Sequence, residues 1–92
     1  IAKALGDKKV AILQNHGILT TGPSVDIALW FYMSMERCCQ AQLMAESAGK
    51  PISVPHETAI KTRDFIANDI AAWASYQPAF DKIIKMQPDL LD

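Results

Sequence analysis

Two kinds of pattern share this chain. Short apolar runs are closed by breaker residues, and longer stretches carry apolar residues at helical spacing. Residues 1–5 place Ile1, Ala2 and Leu5 on one side of a helical turn. Gly6-Asp7 then stops it, which predicts the end of a helix. Val10-Ala11-Ile12-Leu13 predicts a buried strand, and residues 18–21 predict a second one rich in β-branched residues. Between the two apolar runs stands the polar triplet Asn15-His16-Gly17. A three-residue hairpin loop needs a last residue that tolerates positive φ, and Gly17 does so without a Cβ penalty. The pattern thus predicts an antiparallel hairpin with His16 near its tip.

Gly22-Pro23-Ser24 is a second break, in which Ser24 suits an N-cap. Asp26 suits the positive end of the helix that follows. That helix is predicted over residues 25–47. In its first half Ile27, Trp30, Phe31 and Ser34 form one flank, with Ala28, Leu29, Tyr32 and Met35 beside them. A helix apolar on nearly every side is buried on more than one face, and so short a chain cannot cover it alone. Polar residues become frequent after Glu36, and Gly49 followed by Pro51 predicts the stop. Residues 50–55 read as a connector or an edge strand. A second long helix is predicted from His56, with Ala59, Ile66, Ile70 and Trp73 as its apolar stripe. Pro78 predicts a kink or break, because it removes an amide donor and crowds the preceding turn. A short helix with Phe80, Ile83 and Ile84 is expected next, then a stop and an apolar pair at the tail.

The 92 residues suffice for one small domain, with half of them hydrophobic and a formal net charge of −1. No basic excess or like-charge run points to nucleic acid, and no apolar run reaches membrane-spanning length. The chain opens without an initiator Met or a signal-peptide pattern. The buried-face character of Ile1, Ala2 and Leu5 leads us to expect the C-terminal piece of a longer protein. Its surplus apolar surface would then pack against missing parts or partner subunits. Cys38 and Cys39 are adjacent, and a disulfide between neighbours would strain a helical backbone. They read as two small apolar helix residues in a reducing, cytoplasmic setting.

His16 is the sharpest candidate for chemistry, since a neutral imidazole binds divalent transition metals. Three roles are open to it: a turn histidine bonded to backbone, a surface histidine without consequence, or one ligand of a metal. Spacing alone favours the first, because no HxH, HExxH or carboxylate cluster accompanies it. His56 and Glu57 suit an acid/base pair, or more simply a helix start with a dipole-complementing carboxylate. Glu36 and Arg37 read as solvated helix residues, and Trp30, Phe31, Trp73, Tyr76 and Phe80 as core or interface anchors. Gly22-Pro23-Ser24 is a weak anion site, with one glycine and no lysine.

The ordered combination over about residues 8–49 resembles the C-terminal third of the class II aldolase/adducin domain. It consists of an apolar strand, Asn-His-Gly, a second strand ending in Gly22, a capped loop at Ser24, and a long helix with Trp30 and Glu36. The later residues are similar, less specifically, to the tail of microbial and fungal members. The resemblance implies an α/β fold, an α/β/α sandwich around a mainly antiparallel sheet. Residues 1–92 would form its C-terminal part, a hairpin followed by long helices. It implies homo-oligomers, with tetramers among the members, and a zinc or other divalent ion held by three histidines. His16 would be the third of these; the HxH pair and the acid/base carboxylate would lie upstream of this sequence. The implied activity is that of a metal-dependent lyase, or a related epimerase or decarboxylase, on a small hydroxy-carbonyl or sugar-type compound. The isolated chain would be inactive. The alternative implied by the same family is a non-catalytic, adducin-like cytoskeletal or interaction domain, which the segment at residues 45–49 also resembles.

Overall fold

The computed structural model describes residues 2–91, without the side chains of Ala2 and Ala4. Helix α1 spans Ala2–Leu5, and strands β1 (Val10–Leu13) and β2 (Gly17–Thr20) pair antiparallel. Helix α2 spans Val25–Ala48, α3 His56–Ile66 and α4 Asp69–Met86, and a 3-10 turn covers Pro88–Leu91. The expected hairpin followed by long helices is the observed order. The part of the first prediction that falls on Ile1 lies outside the described residues, as does Asp92 at the tail.

Local chemistry accounts for most boundaries. Helix α2 begins where Ser24 stands in extended geometry and its Oγ accepts from the Ile27 amide at 3.3 Å. It ends at Gly49, whose N–H donates to the Ala45 carbonyl. Residues 50–55 take no regular structure, so they are a connector and not an edge strand. The last helical stretch departs from expectation. The break falls at Ala67–Asn68, while Pro78 sits inside a continuous α4. Asn68 decides this: its Oδ1 accepts from the Ala71 amide at 2.9 Å, capping a new helix ahead of the proline.

The core is small. Ile27, Phe31 and Ala72 are buried, with Val10 and Trp30 packed against them. Thus α2 and α4 meet through Ala72, whereas Ile70 and Trp73 of the predicted stripe face solvent. The apolar first half of α2 is covered on one side only, and Leu29 and Tyr32 stay exposed. The chain exposes 7603 Å², against ~5,300 Å² for a compact monomer of its mass. Its radius of gyration is 15.5 Å, against ~12 Å for a compact domain of this length.

Candidate functional site

The hairpin tip is built by backbone constraints. The register pairs Val10 with Thr20 and Leu13 with Gly17, leaving Gln14, Asn15 and His16 as the loop. Gly17 is therefore the first residue of β2 and not the last of the loop, one position from expectation. The His16 amide donates to the Leu13 carbonyl at 3.1 Å and closes the turn. Gly17 has φ 128°, as the hairpin argument requires, and a Cβ there would meet nothing within 4 Å. The requirement is thus conformational and not spatial. Asn15 also lies in the left-handed region, at φ 61°. Its short polar side chain makes that conformation less costly than for most residues. Positive φ is expected from the sequence at Gly17, and asparagine's tolerance of the left-handed region is the signal for the second.

Several contacts fix the hairpin's base. The Thr20 hydroxyl donates to the Ala28 carbonyl at 2.8 Å, tying β2 to the first turn of α2. Gly22 lets that turn approach: a Cβ there would lie 2.8 Å from Ile27 Cγ2 and 3.0 Å from the Ala28 amide nitrogen. This close approach accounts for the glycine in the Gly22-Pro23-Ser24 segment. On the β1 side, the Lys9 ammonium donates to the Ala67 carbonyl. It also sits 5.5 Å from the centroid of the Phe31 ring, a cation–π distance. Val10 packs on the Phe31 cluster, and Ile12 lines a groove with Met35, Cys39 and Leu43. Strand β1 thus meets α2 through Val10 and Ile12, and His16 lies in the loop after its end.

The His16 side chain is exposed. Its neutral imidazole can offer one nitrogen to a cation while the turn fixes its backbone. Among the described residues, no three His, Cys, Asp or Glu side chains converge to hold a metal ion. His56 opens α3 and Glu57 follows in its first turn. The cap position is Pro55, which makes no side-chain bond. Glu36 accepts from Gln40 one helical turn on, at 2.7 Å, as a solvated helix residue does. Cys38 and Cys39 are free thiols. Of the five aromatic anchors only Phe31 is buried, while Tyr76 and Phe80 stack obliquely at 6.5 Å.

Comparison with known proteins sets this single-imidazole turn in context. The sequence profile described as Class II Aldolase and Adducin N-terminal domain matches residues 1–43. Decarboxylase NovR of Streptomyces niveus is 39% identical over 98% of this chain and 33% of its own length. A 4-hydroxy-3-prenylphenylpyruvate oxygenase/4-hydroxy-3-prenylbenzoate synthase of Streptomyces roseochromogenus subsp. oscitans is 37% identical over 98% of this chain and 32% of its own length. Among solved structures, an L-fuculose 1-phosphate aldolase from Glaciozyma antarctica superposes with a TM-score of 0.91 at 36% identity, over 96% of this chain and 35% of that one. The chain thus spans about a third of the length of each.

Proposed function

Because the chain belongs to the class II aldolase and adducin family, we propose that it forms the C-terminal part of a metal-dependent, carbon–carbon-bond-cleaving domain. In this proposal His16 supplies one ligand to a divalent cation, zinc in the simplest case, and the remaining ligands and the acid/base carboxylate come from residues outside these 92. The substrate is a small hydroxy-carbonyl or sugar-type compound, and the whole protein is a cytoplasmic homo-oligomer. The observation that carries the reading is the hairpin tip itself. An exposed imidazole stands on a turn whose backbone is set by Asn15 and Gly17.

The donor chemistry fits. A neutral imidazole adds no negative charge, so a cation held by such ligands keeps its full Lewis acidity. A cation so held supplies polarisation of a carbonyl and a neighbouring hydroxyl oxygen, which favours electron density left next to that carbonyl when a carbon–carbon bond breaks. The demand is common to aldol cleavage and decarboxylation, and an aldolase and a decarboxylase are both among the proteins this chain is similar to. The residues of this chain contribute position. Thr20 and Lys9 fix the hairpin base, Gly22 lets α2 come close, and Asn15 and Gly17 aim the tip.

Metal analysis of the full-length protein tests this reading. His16→Ala is expected to lose the divalent ion, or to weaken its binding by a factor of at least about 10–100, with the helical signal intact. Unchanged stoichiometry and affinity would remove His16 from the metal site and return it to the role of a surface turn residue.

A further inference from the structure

We propose that Lys9 is a positioning residue for His16: its ammonium ties the base of the hairpin to the corner between α3 and α4, and this tie sets where the hairpin tip stands. The proposal rests on the reading of His16 as a metal ligand. Lys9 stands one residue before β1 and makes three contacts at once. Its backbone carbonyl accepts from the Thr21 amide at 3.0 Å, closing the open end of the hairpin. Its ammonium donates to the carbonyl of Ala67, the residue that ends α3 just before Asn68 caps α4. The same ammonium lies 5.5 Å from the centroid of the Phe31 ring. A helix leaves its last carbonyls without intrahelical partners and carries partial negative charge at that end. A cation is therefore the fitting donor for Ala67.

The tie joins distant parts of the sequence, since Lys9 and Ala67 are 58 positions apart. Gln77 reaches back over 51 positions to Asp26, but that bond ends on α2 and not on the hairpin. Strand β2 has a tie of its own, from the Thr20 hydroxyl to the Ala28 carbonyl. Each side of the hairpin base is thus held by one polar contact. The β2 side is fixed to α2, and the β1 side, through Lys9, to the α3–α4 corner.

Leverage makes the tie matter at the tip. A two-stranded hairpin is marginally stable by itself, so its direction depends on what holds its base. Strand β1 has four residues. A strand of that length spans ~13 Å, so a tilt of about 5° at its base moves its far end by about 1 Å. That is several times the ~0.2 Å within which metal–ligand distances are held. Lys9 acts on the imidazole only through the hairpin backbone, which is why its role is positional.

The test uses the full-length protein. Lys9→Met keeps an unbranched side chain and removes the ammonium. It is expected to speed hydrogen exchange at the His16 and Thr21 amides of the metal-free protein about 2–10-fold. Zinc binding, read by competition with a chelator, is expected to weaken by a similar factor. Lys9→Arg keeps a cationic donor and is expected to restore both. Gln77→Ala cuts the bond to α2 and is expected to leave both as in the unmodified protein. Unchanged exchange in Lys9→Met, no recovery in Lys9→Arg, or an equal effect from Gln77→Ala would each overturn the assignment. His16→Ala in the same zinc titration separates this proposal from the one beneath it. If His16→Ala keeps the ion, the ligand reading fails, and the exchange result alone decides whether Lys9 holds the hairpin. If His16→Ala loses the ion while Lys9→Met binds zinc unchanged, the ligand reading survives and the positioning role is overturned.

Discussion

The hairpin with the first turns of α2 and the α3–α4 pair are both apolar, yet they use that character differently. In the first region several specific contacts join the elements. Thr20 bonds across to Ala28, Ser24 caps α2, Gly22 admits a close approach, and Val10 closes on Phe31. In the second, one alanine makes the buried contact, Gln77 reaches Asp26 at 2.8 Å, and Lys9 reaches Ala67. Phe65, Ile70 and Trp73 stay in solvent. The contrast teaches that an apolar stripe marks a surface to be covered without saying by what. The first region buries Ile27 and Phe31 but leaves Ile12, Leu29 and Tyr32 exposed; the second buries only Ala72.

Substitutions sharpen this contrast in order of expected size, each read by denaturant unfolding of the full-length protein. Phe31 joins the two regions, so Phe31→Ala is expected to cost about 3–5 kcal/mol; a cost below about 1 kcal/mol would mean that the shared core is not where the structure puts it. Gly22→Ala forces Ile27 aside and crowds the Ala28 amide, for an expected loss of about 1–3 kcal/mol. If it proves neutral, the first region is looser than described. Asn68→Ala removes the cap of α4 and is expected to cost about 1 kcal/mol, whereas Asn68→Asp should largely preserve it. Arg63→Ala breaks only an exposed pair with Asp64, 3.0 Å apart, and is expected to change monomer stability by less than about 0.5 kcal/mol. A large loss there would mean that the corner is already an integral part of the fold.

Sequence reasoning read the first region well because its determinants are local. Alternating apolar runs, a glycine beside a tight turn and a serine before a helix each carry their cause within a few residues. Asn15 escaped notice because its left-handed conformation is permitted and not obligatory. The second region was read less well for a physical reason. Pro78 signals a break strongly by itself, but Asn68 can cap a helix ten residues earlier, and the chain broke there. The stripe of Ile66, Ile70 and Trp73 had the right spacing, yet only tertiary packing chooses Ala72 as the inward residue. At the candidate site, His16 and its turn were legible. Further ligands for the proposed site were not legible, and among the described residues no three His, Cys, Asp or Glu side chains converge.

The stretch between α2 and α3 has one more consequence. Residues 50–55 carry no regular structure, and Ile52 is 96% exposed, while α2 and α4 are held by contacts made elsewhere. The covalent link is therefore a tether of adjustable length. Lengthening it adds only a logarithmic closure penalty, about 0.6 kcal/mol per doubling. A reporter, a protease site or new termini placed here are expected to leave the helices on either side in register, which circular dichroism of the insertion variant would check.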